Sequence, residues 1–325
     1  MNVLVTGANG LLGHHVVLEL LKNQHTVKII IRSVQKTGFD LNSVTVIEGN
    51  FTDYSCLKQA AHGVDAIIHI AAVTDMNLLT YEEYRKINTV GTAQILKVAN
   101  ELNINTLVYI SSANTIGYGT EQQPADERFK TEFPFTTSFY ARSKSAAEIL
   151  VVEASKKANH HFIIINPTFM LGAYDTKPGS GKLLLLGYMR KLMLIPGGGK
   201  NFVAAHDVAE GVCNALTMGK NGERYLASGI NLSFKEYYTL QKQVGKYEQK
   251  IIVIPDILLV IIGKAGDIIR KSGIKTEICS MNIRQLLIRE YYSNRKAKTE
   301  LNLPETDLKV AINETIEWFK KTGKI

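Results

Sequence analysis

Two hydrophobic periods alternate through the first half of the chain. Short runs in which nearly every residue is apolar or β-branched occur at Asn2–Thr6, Thr26–Ile31, Val44–Glu48, Ala66–Ile70, Thr106–Ser111 and His161–Asn166. Longer stretches with apolar residues three and four apart separate them, at Leu11–Asn23, Ser55–Ala61, Tyr81–Leu102 and Tyr140–Lys157. A strand with one wet face alternates apolar and polar residues, whereas a continuously apolar run fits a strand covered on both faces. Repeated strand–helix alternation demands right-handed crossovers, so the pattern predicts an α/β fold, a Rossmann-type doubly wound parallel sheet, over residues 1–170.

Beyond residue 170 the pattern loosens. Gly172–Lys182 and Pro196–Asn201 are rich in Gly, Pro and polar residues and read as loops. Helical patterns follow at Leu183–Met193, Asp207–Met218, Phe234–Gly245, Ile257–Ser272 and Asp307–Thr322. They predict a smaller, mainly helical substrate lobe over residues 171–325, interleaved with the first domain as one compact unit. The most apolar stretch, Ile251–Ile262, contains Pro255 and Asp256 and is too short to span a bilayer. It predicts a strand, a turn and the start of a buried helix.

Composition narrows the class. Of 325 residues, 45% are hydrophobic and 21% charged, which is enough apolar material for a sizeable core and argues against disorder. Lys and Arg total 38 against 30 Asp and Glu, a net charge of +8. No run of five like charges occurs, so the excess reads as a basic enzyme surface rather than a nucleic-acid groove. Cys56, Cys213 and Cys279 stand too far apart for a metal spacing and cannot form a disulfide framework. They read as reduced thiols, and the N-terminus Met1–Val5 carries no basic leader. The expectation is a cytoplasmic protein without metal, nucleic-acid partner or membrane span, acting on a small molecule as a monomer or homodimer.

The first candidate chemistry follows the first strand: Thr6-Gly7-Ala8-Asn9-Gly10-Leu11-Leu12-Gly13, with glycines at G-x-x-G-x-x-G spacing. Between a strand and an amphipathic helix, such glycines permit a tight turn (Gly7), close approach of a pyrophosphate (Gly10) and close helix–sheet packing (Gly13). The helix N-terminus adds free N–H groups and a positive dipole end. Gly7, Asn9, Gly10, Leu11, Leu12 and Gly13 are therefore expected to hold a dinucleotide. A site that prefers NAD carries Asp or Glu at the end of the second strand, to accept from the ribose 2′-hydroxyl. Here that strand ends Ile30-Ile31-Arg32-Ser33 with Lys36 behind. A guanidinium suits a 2′-phosphate, which favours NADP(H) over NAD(H). The alternative is that Arg32 is only a solvated strand end.

The second candidate is Tyr140-Ala141-Arg142-Ser143-Lys144. A Y-x-x-x-K pair alone means little. With 14 tyrosines and 28 lysines about one arises by chance, and four occur, at Tyr54/Lys58, Tyr140/Lys144, Tyr238/Lys242 and Tyr292/Lys296. Only Tyr140/Lys144 opens a helix after a buried strand ending in Ser111-Ser112. At i and i+4 its side chains share a helix face. Ser112, at a carboxyl strand end, can reach the crevice where open α/β sheets bind ligands. Reducing a carbonyl by hydride needs a proton donor at the developing alkoxide, and a neighbouring ammonium would favour tyrosinate in the reverse direction. Ser112 would orient the carbonyl.

At these residues the chain resembles the extended short-chain dehydrogenase/reductases of the NAD-dependent epimerase/dehydratase superfamily, and within them dihydroflavonol-reductase-like proteins. The resemblance is carried by Thr6–Gly13 with Arg32, His69-Ile70-Ala71-Ala72, Asn88–Thr92, Ser111-Ser112-Ala113, Tyr140–Lys144, Asn166-Pro167-Thr168 and Asp207-Val208-Ala209. It implies that Ser112, with Gly117 five residues beyond, is the catalytic serine alongside Tyr140 and Lys144. It also implies that Asn88, on the helix face behind them, belongs to the catalytic set; helix packing is its alternative. The same resemblance has Ala71 and Ala72 line the cofactor channel, Pro167 and Thr168 contact the nicotinamide end, and Asn50 and Phe51 touch the adenine. The family usually has Asp where this chain has Asn50. His69 reads as a satisfied core histidine and Asp207 as a helix N-cap.

The residues favour an NADPH-dependent reductase of a ketone or aldehyde, reversible as an alcohol dehydrogenase. A sugar-nucleotide epimerase using bound NAD is the alternative, and a non-catalytic NADP-binding regulatory protein a third. Ala113 after Ser112 argues against dehydratases, and Phe169, where sugar-nucleotide relatives carry asparagine, argues against epimerases. Substrate identity is expected in residues 117–139, whose Phe129, Phe133, Phe135 and Phe139 either line an apolar pocket or anchor the loop, and in residues 173–201.

Overall fold

The computed structural model describes residues 1–34 and 40–325. Seven parallel strands form the main sheet: β1 (Asn2–Thr6), β2 (Thr26–Ile31), β3 (Thr45–Glu48), β4 (Ala66–His69), β5 (Thr106–Ile110), β6 (His161–Pro167) and β10 (Arg224–Ala227). Their spatial order is β10-β6-β5-β4-β1-β2-β3. The order reverses between β1 and β4, the switch point outside whose carboxyl ends ligands bind in such sheets. All six expected strands are present and differ from the sequence reading by one residue or less at each end.

Both faces of the sheet are covered, which is why its strands carry no polar alternation. Val3 and Val5 pack into one cluster with Leu12, Val16 and Leu20 of α1 (Leu11–Lys22), with Val208 and Val212 of α7 (Ala205–Met218), and with Ala297 and Leu301 of α11 (Arg295–Leu301). Leu4 faces the other way. It joins Leu57 of α2 (Tyr54–Ala61), Ile95 and Val98 of α4 (Gly91–Glu101), and Ala147 and Val151 of α5 (Phe139–Ser155). The stretch expected as one helix over Tyr81–Leu102 is three pieces: α3 (Tyr81–Tyr84), a π-helical segment Arg85–Val90, and α4. Single π turns inside helices often mark functional sites.

The C-terminal half does more than form a lobe. It supplies β10, α7 and α11 to the main sheet and its cover, across the boundary at residue 170. Its own core gathers Leu184 of α6 (Gly181–Gly187), Phe234, Tyr237 and Tyr238 of α8 (Phe234–Gly245), and Ile312, Ile316 and Phe319 of α12 (Leu308–Lys321). Two small sheets join it, and of their strands only β12, at the start of the apolar stretch Ile251–Ile262, was expected. One holds β7 (Phe169–Leu171), β9 (Gly199–Ala204), β11 (Ile230–Ser233) and β13 (Arg289–Glu290), and the other pairs β8 (Leu192–Ile195) with β12 (Lys250–Val253). The helix expected over Leu183–Met193 stops at Gly187, because Met189 takes a left-handed φ of 55° and the chain then turns into β8.

Two further expectations are corrected. Asp207 is not the N-cap of α7, a place held by Ala204; its buried carboxylate accepts from Thr306 N at 2.8 Å and Thr306 Oγ1 at 2.7 Å, fixing the approach to α12. The apolar stretch Ile251–Ile262 forms β12 and the start of α9 (Asp256–Lys271), but α9 is not buried: Ile257, Leu258, Ile261 and Ile262 lie in solvent. Of the cysteines, Cys213 and Cys279 are buried, Cys56 is half-buried, and all three are free.

Candidate active site

The ends of β1 and β4 are tied together first. Thr6 Oγ1 sits 2.7 Å from His69 Nδ1 and accepts from the Ile70 and Ala71 amides, each at 3.2 Å. His69 Nε2 lies 3.2 Å from Thr92 Oγ1, and burial pushes the imidazole pKa down to about 3. It is a neutral core histidine with both ring nitrogens engaged, as the sequence suggested.

On this joint the three glycines divide their work. Gly7 has φ +77°, and a Cβ there would stand 2.6 Å from the Ala71 nitrogen. At Gly13 a Cβ would meet the Gly7 carbonyl oxygen at 2.1 Å. The fold itself needs both. Gly10 differs: it is exposed, has φ −86°, and a Cβ would make only a 3.4 Å contact. Nothing inside the protein requires glycine there, so its missing side chain leaves room for something outside. Beside it, Asn9 Oδ1 is buried without a partner. Leu11 and Leu12 open α1, where backbone N–H groups lack intrahelical acceptors. The Leu12 side chain itself belongs to the core, so only its backbone can serve a ligand. An open glycine, an orphaned amide oxygen and free N–H groups at one helix N-terminus fit the pyrophosphate of a dinucleotide.

The remaining cofactor candidates surround this point unevenly. Ala71 and Ala72 are half-buried past the end of β4, Ala71 against Gly7. Arg32 is exposed one residue after β2. Lys36 lies outside the described residues. Asn50 is exposed and accepts from Thr52 N at 3.1 Å; Phe51 packs between His69 and Gly91. Pro167 ends β6, and the Thr168 hydroxyl is 2.7 Å from Asn201 Oδ1.

The second group stands at the carboxyl end of β5. Ser112 caps a short 3₁₀ turn, Ala113–Thr115, and its Oγ accepts from Asn114 N at 3.2 Å. Its carbonyl is clamped by Asn166 Nδ2 at 3.1 Å and Thr115 Oγ1 at 2.8 Å. Ser111 donates its backbone N–H to Ile165 O at 2.7 Å, which supports the strand end. Helix α5 begins at its Ser138 cap and carries Tyr140 in its first turn. The Tyr140 hydroxyl meets the Ser112 side chain: burial raises the phenol pKa above its ordinary value, and the hydrogen bond to Ser112 pulls it back down. Tyr140 is therefore a protonated donor at neutral pH.

Lys144, one turn on, is 2% exposed. Its Nζ donates to the Ile110 carbonyl at 2.6 Å and lies 4.4 Å from the Tyr109 ring centroid. Desolvation carries its pKa from 10.5 down to about 7, against an upward pull from Glu148. The lysine therefore addresses the strand end. Asn88, on the π segment, is a brace: Oδ1 accepts from Val73 N at 2.8 Å, while Nδ2 donates to Val73 O and Ser143 Oγ, each at 3.0 Å. Of the other Y-x-x-x-K pairs, Tyr292 comes near, its hydroxyl donating to the Ala113 carbonyl at 3.4 Å, while two stand elsewhere. Tyr54 and Lys58 share Glu101, and the Tyr238 hydroxyl bonds Leu183 O at 3.1 Å.

Sequence reading missed Glu148. It is 6% exposed and accepts from Asn166 Nδ2 at 2.5 Å and Thr115 Oγ1 at 2.7 Å, with Arg224 at 3.7 Å. The two groups that clamp Ser112 are thus themselves held by Glu148. The signal was available: Tyr140, Lys144 and Glu148 recur every four residues on one helix face. In the loop before α5, Phe135 is fully buried and Phe129 packs on Ala113 and Ile116, so these two anchor it; Phe133 is exposed beneath Arg284.

With this geometry in hand, likeness to known proteins decides the family. A profile described as the NAD dependent epimerase/dehydratase family matches residues 3–228. The chain belongs to this family. It is accordingly an NAD(P)-dependent oxidoreductase acting on CH–OH groups. Among relatives of this epimerase/dehydratase chain, a Synechocystis protein named "Putative dihydroflavonol 4-reductase" is 26% identical over 329 residues, covering 99% of this chain and 95% of that protein. "Sterol demethylase protein B" of Methylococcus capsulatus is 26% identical over 333 residues, with all of both chains covered. The solved structure of gox2253 superposes with a TM-score of 0.85 at 26% identity, covering 99% of each chain.

The buried lysine makes a stability prediction. Between pH 7 and 10.5 the unfolded chain holds a proton on Lys144 that the folded chain lacks, so this group's contribution rises with pH in that window and its penalty is full below it. Lys144→Met should make the cofactor-free protein more stable than wild type at pH 6 by about 2–4 kcal/mol, after allowance for the unpaired Ile110 carbonyl. Urea unfolding at pH 6 and pH 9 should show that advantage shrinking; an equal difference at both would contradict a buried, titrating lysine.

Proposed function

We propose that the protein is an NADPH-dependent reductase of a ketone or aldehyde, reversible as an alcohol dehydrogenase. The observation that carries the reading is the placement of Ser112, capping the turn at the end of β5, with Tyr140 in the first turn of α5, two strands from the glycine loop at the switch point. Gly7, Asn9, Gly10 and the amides of Leu11, Leu12 and Gly13 would hold the pyrophosphate, with Arg32 and Lys36 on the adenosine side. Asn50, Phe51, Ala71, Ala72, Pro167 and Thr168 would border the rest. When bound, the nicotinamide supplies or accepts the hydride.

The chain's own residues do the remainder. Ser112 donates to the substrate oxygen and fixes its orientation. Tyr140, held protonated by burial, gives its proton to that oxygen as negative charge develops. Lys144 supplies positive charge to the cleft while protonated, which favours tyrosinate during alcohol oxidation. Because its own pKa lies near neutrality, that assistance fades as the pH rises. Asn88 and Glu148 touch no reacting atom; they position α5 and Ser112. An exposed Arg32, where an NAD-preferring site would present a carboxylate, disfavours an epimerase with resident NAD. The reductase name of the Synechocystis relative supports the same choice.

Two outcomes test this reading. Charge-assisted hydrogen bonds contribute about 1.5–3 kcal/mol, so NADPH should bind about 10- to 150-fold more tightly than NADH by fluorescence titration. Arg32→Asp should erase or reverse the preference, and equal wild-type dissociation constants would contradict the NADP assignment. Against a carbonyl panel, Tyr140→Phe should lower turnover at least ~100-fold while changing NADPH affinity less than ~10-fold, whereas Tyr54→Phe and Tyr238→Phe leave turnover near wild type. Wild-type turnover in Tyr140→Phe would place the proton donor elsewhere.

A further inference from the structure

Helix α9 is built the wrong way round for a helix in water. A surface helix ordinarily turns its large apolar side chains inward and its polar ones out. In α9 the buried positions are Leu259, Gly263 and Gly266, one large side chain and two glycines, the last so close to the segment before α10 (Ser280–Leu287) that a Cβ at Gly266 would stand 1.9 Å from the Ile278 carbonyl oxygen. The outward positions are Ile257, Leu258, Ile261, Ile262, Ile268 and Ile269, spaced i, i+1, i+4, i+5, i+11, i+12 and thus on one face. Ile257, Ile261 and Ile268 are 64%, 56% and 70% exposed. The adjoining strand pair β8–β12 also exposes Leu192, Leu194, Ile252 and Val253. A contiguous apolar surface of this kind marks an interaction site rather than scattered exposure.

The charges around the face indicate its occupant. Lys264 stands four residues before Ile268 and Lys271 three after it, both exposed at the edge of the apolar face. Neither has an ion-pair partner among the described residues. The acids of α9 are Asp256, which opens the helix beside Gly197 on the side opposite the isoleucines, and Asp267, whose carboxylate is spent on the Ser280 amide at 2.9 Å. Pairing with a second copy through this face would gather unpaired lysines from both molecules and offer them no acid. An anionic phospholipid surface offers apolar chains to the isoleucines and phosphates to the lysines at the same depth.

We infer that the α9 face is a peripheral membrane-docking surface for an anionic phospholipid bilayer. The helix lies in the interface without crossing it; no helix among the described residues is long and apolar enough to cross. The docked element is tied to the catalytic side of the molecule. Arg270 donates to the Leu78 carbonyl at 2.7 Å and Glu277 accepts from Asn77 at 3.2 Å, so the α9–α10 hairpin grips the loop that leaves β4 past Ala71 and Ala72. Docking therefore sets that loop towards the lipid.

Vesicle co-sedimentation of the full chain tests this, with vesicles of phosphatidylcholine alone and of phosphatidylcholine mixed with phosphatidylglycerol. Wild type should sediment with the mixed vesicles, less so as salt is raised. The double variant Ile261→Asp, Ile268→Asp should lose at least ~10-fold in partition while keeping the wild-type thermal unfolding and Trp318 fluorescence. Lys264→Glu with Lys271→Glu, a second solvent-facing pair, should lose the preference for phosphatidylglycerol. Three results would overturn the inference. Wild type could stay in the supernatant with both vesicle types. The aspartate variant could sediment like wild type. Sedimentation velocity could show a wild-type assembly that the aspartate variant breaks, with no vesicle binding, which would assign the face to a second copy.

Discussion

The whole site hangs on how closely the first turn of α1 approaches the end of β1. Gly13 lies against the Gly7 carbonyl and Gly7 against the Ala71 amide, at separations that admit no Cβ. This contact sets the angle at which α1 leaves the sheet and so aims its free N–H groups over the switch point. It also fixes β4 beside β1 through Thr6 and His69, and β4 in turn carries β5 and the Ser112 turn. The glycine turn and the Ser112 turn thus stand at carboxyl ends of one sheet because neighbouring strands are locked in register. The chemistry occupies what that lock leaves open.

Opposing forces meet at α5. Burying Lys144 costs free energy, as its depressed pKa records, and one carbonyl bond at 2.6 Å offsets only part of that cost. Glu148, one turn further, returns some by its charge and spends its oxygens on the groups that clamp Ser112. An inert helix would carry apolar residues at both positions. Their retention in the core is what a site accepts when it needs a cation near a phenol in a poorly solvated cleft. Tyr140 is the simpler case: a phenol is protonated at neutral pH in any event, and burial raises its pKa further.

Most of the main sheet was legible because buried parallel strands are apolar throughout and leave no ambiguity of face. Strand β10 was not: at four residues, beginning with Arg224 and divided from its neighbour β6 by the irregular stretch after residue 170, it has no periodicity to detect. The small strands of the lobe other than β12 were missed for the same reason. The glycine loop and the Ser112–Tyr140 pair were legible from spacing and position. The sequence could not distinguish a glycine the fold needs from one a ligand needs; only the Cβ distances separate Gly7 and Gly13 from Gly10. Nor could it aim Lys144, which turns to Ile110. The isoleucines of α9 misled outright, since hydrophobicity predicts burial, and here the inward face is taken by Leu259 and two glycines instead.

That distinction among the glycines gives the most direct measurement. Gly10→Val adds a side chain where the protein has space and a pyrophosphate would need it. The account predicts unchanged urea unfolding of the cofactor-free variant, with NADPH binding by fluorescence titration weakened beyond detection. A folded Gly10→Val protein that binds NADPH like wild type would contradict it.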